Sequence, residues 1–93
     1  MPAQPLFPLG HVLITPGAAA ALESARQFAW VFVGLHAAGR WGDLCDEDKA
    51  LNDQAVHSGG RIFSAYRLSD GTKVWVITEA DRHATTVLLP SEY

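Results

Sequence analysis

The chain has 93 residues, of which 48 % are hydrophobic and 18 % are charged. This length and balance fit one globular domain with a modest core, and they exclude wholesale disorder. Seven basic residues against ten acidic ones give a net charge of −3, which argues against a general polyanion-binding protein. The single cysteine, Cys45, cannot form an intramolecular disulfide, and the four histidines lack zinc-finger spacing, so the sequence predicts no metal and no other cofactor.

The sequence predicts a cytoplasmic protein that does not enter a membrane. Its first ten residues contain neither a basic region nor a long apolar run, so they do not resemble a signal peptide. The least polar stretch, 27–39, is thirteen residues without a formal charge. A membrane span needs about 20 apolar residues, so this stretch predicts a buried helix instead.

The first elements of the chain are predicted to be an irregular arm and a strand. Residues 1–8 hold three of the five prolines and predict an irregular arm within a single domain that covers 1–93. The apolar, β-branched run 9–15 predicts a strand. Thr15 followed by Pro16 predicts a helix start, because threonine caps well and proline suits the first helical position.

Helical structure is predicted next over two segments, 17–26 and 26–38, as either one kinked helix or two. The first is rich in alanine, which favours a helix but supplies little core volume. In the second, helical spacing predicts an apolar stripe that faces the core. The residues of this stripe are Phe28, Val31, Phe32 and Leu35. Trp30 lies off the stripe, and Gly39 suits the end of the helix.

A third helix is predicted from the acidic stretch 43–48 to about His57. Asp43 or Asp46 could cap it, because the helix dipole favours negative charge at this end. Its predicted core face consists of Leu44, Leu51, Ala55 and Val56. Asn52 has a low helix propensity at mid-helix, which indicates a hydrogen bond to another part of the chain.

The last third of the chain changes to the period of two that is typical of strands. It predicts strands over 61–68, 73–79 and 85–89. Asp70-Gly71 predicts a hairpin with a two-residue loop, which would pair Tyr66 with Trp75. The predicted class is α+β, with a three-stranded antiparallel meander, helices packed on one face, and the N-terminal strand as an addition at one edge.

Two groups of polar residues could carry chemistry. His36 follows an apolar helix, where a core histidine bonded to Asp43 is favoured over a catalytic base. A small metal-independent ribonuclease would need a base, an acid and a cation for the phosphorane oxygens. The residues that could supply such a site are His36, Arg61, Thr78, Arg82 and Thr85.

A protein-binding surface is the other candidate. The run 43–53 holds five acids against Lys49, so it forms either a solvated helix face or a docking surface for a basic partner. Trp41 is favoured as a packing residue, with an interface anchor as the alternative. The predicted binding residues are Trp41, Asp43, Asp46, Glu47, Asp48, Glu79, Asp81 and Arg82.

Four segments carry a resemblance to a known family. They are GHVLITPG (10–17), HAAGRWGDL (36–44), residues 48–52 and RIFSAYRLSDGTKVWVITEADRHATTVLLPSEY (61–93). Together they resemble a small family of uncharacterised bacterial proteins carried on plasmids, phages and integrative elements. The resemblance covers most of the chain and implies an accessory protein of a mobile element, located in the cytosol. It brings no agreed catalytic residues.

One departure from the family's pattern concerns the second helix. Family patterns usually have a basic or small polar residue there, whereas this chain has the apolar run 29–33. The departure indicates extra apolar surface and a subunit interface.

Three functions follow as hypotheses. The first is a small acidic binding module that inhibits a host defence complex, of anti-CRISPR or anti-restriction type, with a host or element-encoded protein as its partner. The alternative is a ribonuclease that resembles barnase-like and colicin-type toxins by its order of helices and strands, and only this alternative predicts a nucleic-acid partner. The third is a structural homodimer, paired through an edge strand or through the second helix with Trp30.

Overall fold

The computed structural model describes residues 4–93. Within that range, the elements in chain order are β1 (His11–Ile14), α1 (Pro16–Ala25), α2 (Ala29–Ala37), α3 (Asp46–Ser58), β2 (Ile62–Arg67), β3 (Lys73–Thr78), β4 (Ala84–Leu88) and a 3-10 turn (Pro90–Glu92). The predicted α+β class is confirmed. The sheet has four strands in the order β1-β4-β3-β2: β2, β3 and β4 form the predicted antiparallel meander, and the parallel pairing of β1 with β4 makes the whole sheet mixed.

β1 lies parallel to β4 at one edge of the sheet, so the predicted addition of the N-terminal strand at an edge is confirmed. The His11 N–H donates to the His83 carbonyl oxygen at 2.9 Å. Gly10 makes this approach possible, since its φ is +64° and a Cβ there would lie 2.1 Å from the same oxygen. The glycine before the strand therefore positions β1.

The hairpin between β2 and β3 differs from its predicted register by one residue. The Leu68 N–H donates to the Thr72 carbonyl oxygen at 2.8 Å, so the loop has three residues, 69–71, instead of two. Gly71 takes the left-handed conformation, with φ +88°, that such a loop requires at its third position. The Asp70 carboxylate accepts the Thr72 N–H at 3.0 Å, and this bond lowers the pKa of Asp70.

The longer loop changes which aromatic residues meet. Tyr66 faces Val74, and Ala65 faces Trp75, so the predicted pairing of Tyr66 with Trp75 is wrong. Tyr66 is buried under the helices, whereas Trp75 lies on the opposite face and packs edge-on against Phe63, with 5.0 Å between ring centroids.

The core lies between the helices and one face of the sheet. The helices contribute Ala18, Leu22, Phe32 and Val33 to it. From the sheet it takes alternate strand residues that share one face, namely Tyr66, Val74, Val76 and Val87. A second, smaller cluster contains Phe7, Trp41, Ala55 and Ile62.

The N-terminal arm is irregular but docked. Residues 1–3 of the predicted arm 1–8 lie outside the described residues, and 4–8 contain neither helix nor strand. Phe7 is buried in the second cluster, and the Leu6 N–H donates to the carbonyl oxygen of Ala37 at 2.9 Å. The arm therefore closes one end of the core.

α1 begins as predicted. The Thr15 hydroxyl accepts the Ala18 N–H at 3.2 Å, and Pro16 occupies the first turn. The Glu92 carboxylate accepts bonds from the Thr15 hydroxyl at 2.5 Å and from the Gly17 N–H at 3.1 Å. These bonds, the Thr15 bond foremost, lower the pKa of Glu92. The end of the chain is thus tied to the junction between β1 and α1.

The predicted core stripe of the second helix is wrong at two positions. α2 begins at Ala29, so Phe28 is the residue before the helix and is 66 % exposed, and Val31 is 41 % exposed. The buried positions of the helix are Phe32, Val33, His36 and Ala37. α2 is apolar around its whole circumference, so the spacing of apolar residues could not indicate which side faces the sheet. Within residues 4–93, no helix is long and apolar enough to cross a membrane.

The predicted core face of the third helix, α3, is confirmed at Ala55, which is buried, and at Leu44 and Val56, which pack against the second cluster, but it is wrong at one position. Its N-cap residue is Cys45, instead of Asp43 or Asp46. Leu51 is 61 % exposed, whereas Asn52 is buried. The reason is that the Asn52 amide finds hydrogen-bond partners in β2, which orients the helix.

Candidate protein-binding site

His36 lies at the centre of a buried chain of hydrogen bonds. Its Nδ1 is 2.5 Å from the Ser64 hydroxyl, and its Nε2 is 2.9 Å from the Thr78 hydroxyl. The Thr78 hydroxyl is 2.7 Å from that of Thr85, which donates to the Leu9 carbonyl oxygen at 2.7 Å. His36, Ser64, Thr78 and Thr85 are all fully buried. The predicted bond from His36 to Asp43 is absent among these contacts, so that expectation is wrong.

The chain of bonds fixes where the protons lie. Because Thr85 donates to Leu9, it accepts from Thr78, and Thr78 in turn accepts from the Nε2–H of His36. The Nδ1 of a neutral imidazole is then an acceptor, and it takes the Ser64 hydroxyl proton. Burial lowers the pKa of His36 to about 4, so the ring is neutral at pH 7. His36 is thus a structural histidine that joins three strands.

Arg82 is occupied by backbone carbonyl groups. Its guanidinium donates to the carbonyl oxygens of Gly60 at 2.6 Å and of Ala55 at 2.7 Å, with a longer bond to Glu79 at 3.2 Å. It also lies over the Phe7 ring, 5.5 Å from the centroid. These contacts attach the last turn of α3 to the turn between β3 and β4. Arg82 thus has a structural role here, and its role as a phosphate ligand stays a prediction.

Arg61 lies on the other face of the sheet from His36. Its guanidinium donates to the Tyr93 hydroxyl and lies 5.6 Å from the centroid of the same ring. Phe63 and Trp75 border the same shallow concavity of about 210 Å³. Arg61 therefore does not share a site with the buried histidine.

The five residues predicted for a ribonuclease do not form one accessible site. His36, Thr78 and Thr85 come together, but in the interior, where a substrate phosphate cannot contact them. The two arginines bind other parts of the chain. This geometry gives the ribonuclease alternative no support, and that hypothesis stays a prediction.

The acidic residues are exposed but do not form one surface. Residues 46–48 lie in the first turn of α3, and Glu79 and Asp81 lie near its last turn. A helix of thirteen residues separates the two groups by roughly 18 Å. Asp43 forms an ion pair of 3.2 Å with Arg67, and both side chains are largely exposed. Such a pair contributes under about 1 kcal/mol.

Trp41 is a packing residue. It is 4 % exposed, its indole N–H donates to the Asp53 carboxylate at 3.0 Å, and its ring stacks against Phe7 with 6.3 Å between centroids. The favoured structural role is confirmed. Because the Trp41 side chain is buried, it presents no accessible surface to a partner in this structure.

The edge of the sheet formed by β2 is covered by the chain itself; we call it the covered edge. The Asn52 side chain bonds both outward-facing backbone groups of Phe63, accepting the N–H at 3.1 Å and donating to the oxygen at 2.6 Å. The Ala65 N–H donates to the Trp41 oxygen at 3.1 Å, and the Ala65 oxygen accepts the Asp43 N–H at 2.7 Å. The predicted tertiary hydrogen bond of Asn52 is confirmed.

Gly42 allows the segment 41–43 to lie against β2. Its φ is +80°, and a Cβ would lie 2.0 Å from the Ala65 carbonyl oxygen. Only glycine fits this conformation and this distance without strain.

The opposite edge, formed by β1, has no such cover; we call it the bare edge. His11 and Thr15 donate their N–H groups toward β4. Because the backbone groups of successive strand residues face opposite edges, those of Val12 and Ile14 point outward, away from β4. No group within residues 4–93 bonds to these outward N–H and carbonyl groups. A β-strand edge of this kind is a template for another strand.

An apolar groove lies beside the bare edge, between β1 and the start of α2. It has a volume of about 400 Å³ and is lined by Val12, Ile14, Phe28, Ala29, Trp30 and Val33. Phe28 and Trp30 are 66 % and 70 % exposed, and their rings stack with 6.3 Å between centroids. On the far side of Trp30, a second concavity of about 300 Å³ lies against the arm.

The bare edge and the apolar groove together form the candidate site. The helical spacing puts Trp30 off the predicted apolar stripe, and this position indicates its exposure. The same spacing wrongly puts Phe28 in the core. The outward groups of Val12 and Ile14 could not be found, because they depend on which strand β1 pairs with.

Comparisons with protein-family models, with curated proteins and with solved structures gave no match to this chain.

Proposed function

We propose that this chain is a protein-binding module, and that its binding site is the bare edge of β1 together with the apolar groove. An extended segment of a partner would add a strand to the sheet. Its backbone would bond to Val12 and Ile14, and every second side chain would enter the groove.

The contrast between the two edges carries this proposal. The chain places an asparagine side chain and the segment 41–43 against β2, but it leaves β1 without cover and without lysine, proline or a bulge. A covering segment, a lysine, a proline or a bulge normally protects an edge strand from pairing. The unprotected strand is also flanked by the most exposed large aromatic side chain of the described residues, Trp30. Exposed apolar surface of this kind is typical of an interaction site.

The setting of the module comes from the resemblance to mobile-element proteins. We extend the proposal to an accessory protein that binds a host or element-encoded protein, such as a component of a defence complex. An inhibitor of this type needs an accessible binding surface and no catalytic groups. The burial of the His36 hydrogen-bond chain agrees with a function that does not involve catalysis.

Titration with a strand-forming peptide, followed by amide NMR shifts, tests the proposal. The probe is a capped hexapeptide of alternating threonine and valine, and the matched control is the same peptide with N-methyl groups on the amides of one edge. We expect saturable shifts at Val12, Ile14 and Trp30 with the probe, and weaker ones with the methylated peptide. Trp30→Ala should weaken the shifts at Val12 and Ile14, whereas Leu51→Ala, an exposed change on α3, should leave them unchanged. Equal responses to both peptides, or shifts confined to other residues, would contradict it.

A further inference from the structure

We propose that a second copy of this chain occupies the bare edge. In this arrangement, β1 of each copy pairs antiparallel with β1 of the other, around a two-fold axis at Leu13. The two sheets become one sheet of eight strands. The inference rests on the proposed function, because the second copy fills the same site, so that a host or element-encoded protein would bind there in competition with dimerisation.

The spacing of the outward backbone groups favours this register. Val12 and Ile14 are two residues apart, and both face the open side of β1. When Leu13 of one copy faces Leu13 of the other, each Val12 faces the other copy's Ile14. Those positions are then the hydrogen-bonded pairs of an antiparallel ladder. The two pairs provide four N–H···O bonds, so the outward groups of Val12 and Ile14 in both copies are all satisfied.

The side chains are also self-complementary in this register. Val12 and Ile14 point to the helix side of the sheet, where they line the apolar groove. Each copy therefore places its Ile14 beside Val12 of the other, next to Phe28 and Trp30. On the opposite face, the two Leu13 side chains meet at the axis. Each contact between two different residues forms twice, as a two-fold axis requires, and the Leu13 contact on the axis forms once.

The exposed apolar area is sufficient for a specific pair. The residues concerned are Val12, Leu13, Ile14, Phe28 and Trp30, which are between 46 % and 70 % exposed. Together they present about 500 Å² per copy, so a dimer would bury about 1,000 Å², at the lower limit for a specific interface. None of the five is charged, whereas the exposed acids lie on α1, on α3 and in the loops, and Glu92 bonds to Thr15 directly after β1. The apolar contact therefore contains no charged side chain of its own, and the Glu92 carboxylate beside it already bonds to Thr15 within each copy.

A charge exchange at Leu13 tests the two-fold axis. Leu13 is 52 % exposed, so a lysine or a glutamate is tolerated in the single copy. We expect the wild-type chain to show a mass in sedimentation equilibrium that rises to that of a dimer with concentration. Leu13→Lys and Leu13→Glu should each weaken dimerisation about tenfold or more, because like charges then face each other at the axis. An equimolar mixture of the two variants should restore the dimer.

The controls separate this inference from folding and from the proposed function. Leu51→Lys and Leu51→Glu, at the exposed position on α3, should dimerise like the wild-type chain. Circular dichroism should show that all four variants are folded. A monomer at every concentration, or a dimer that Leu13 substitutions leave unchanged, would overturn the inference. If such a monomer still bound the strand-forming peptide at Val12 and Ile14, the proposed function would stand without the second copy. A chain that neither dimerised nor bound the peptide would contradict the inference and the proposed function together.

Discussion

The two edges of one sheet are treated differently in this protein. At the covered edge, the outward groups of Phe63 and Ala65 are satisfied by Asn52 and by the backbone of residues 41–43. At the bare edge, the equivalent groups of Val12 and Ile14 have no partner within residues 4–93. The difference shows that the fold protects one edge and leaves the other open, and this contrast supports our proposal that the open edge is a surface for binding.

The covered edge should be the more sensitive to mutation. Gly42→Ala places a Cβ against the Ala65 carbonyl oxygen and a side chain at a positive φ. It should lower the free energy of unfolding by about 3 kcal/mol, through backbone strain and the loss of two hydrogen bonds. Urea unfolding measures the loss. Gly34→Ala is the matched control, because nothing lies within 4 Å of its added methyl and alanine favours the helix. If both changes have the same effect, segment 41–43 does not protect β2.

Asn52→Ala should expose the same edge by a different route. It leaves the N–H and the carbonyl group of Phe63 without their partner and should cost about 2–3 kcal/mol. Gln54→Ala changes an exposed amide on the same helix and should stay within about 0.5 kcal/mol of the wild-type chain. Urea unfolding of both variants gives the comparison. Equal stability of the two would show that the Asn52 bonds contribute nothing.

Acid should lower the free energy of unfolding through His36, whose hydrogen-bond chain runs from Ser64 on β2 to Leu9 beside β1. The pKa of His36 is about 4 in the folded chain and 6.5 when unfolded, so the unfolded state takes up the proton first. The stabilising effect is complete above about pH 6.5 and falls as the pH decreases toward 4. The loss should be about 2 kcal/mol between pH 7.5 and 5.

Urea unfolding at the two pH values measures this loss, with two variants as references. His36→Gln cannot titrate, so it should be less stable than the wild-type chain at pH 7.5 but lose less stability on acidification. Gln54→Ala, an exposed change on α3 that removes no titratable group, should keep the wild-type pH dependence. An unchanged slope in His36→Gln would show that another group causes the acid sensitivity.

The apolar groove beside the bare edge should tolerate substitution in the isolated chain. Trp30→Ala removes a side chain that is 70 % exposed, so the free energy of unfolding should change by no more than about 0.5 kcal/mol. The same change should reduce binding of a strand, since Trp30 lines the groove. Thermal unfolding of the variant tests the prediction on stability, and peptide titration of the same sample tests the prediction on binding. A large loss of stability would mean that the Trp30 side chain packs in the core, which would contradict its place in an open groove.

Local signals in the sequence predicted much of this fold. Thr15-Pro16 marked the start of α1, and Asp70-Gly71 marked the hairpin. Asn52 showed its tertiary role because a mid-helix asparagine is unfavourable without one. Each of these features depends on a residue's preference at its own position.

The features that the sequence did not predict depend on contacts between distant segments. The register of Tyr66 and Trp75 followed from one additional loop residue. The exposed side of α2 was hidden because the helix is apolar all round, which placed Phe28 in the predicted core. The bare edge depends on the parallel pairing of β1 with β4, two strands at opposite ends of the chain.

Amide hydrogen exchange, measured in the Leu13→Lys variant, tests the difference between the edges most directly. The amides of Phe63 and Ala65 donate to Asn52 and Trp41, so they should exchange slowly. The amides of Val12 and Ile14 should exchange rapidly in this variant and become protected when a strand binds. Val12 and Ile14 amides that exchange as slowly as those of Phe63 and Ala65 in the isolated variant would contradict a bare edge, and with it the proposed binding site.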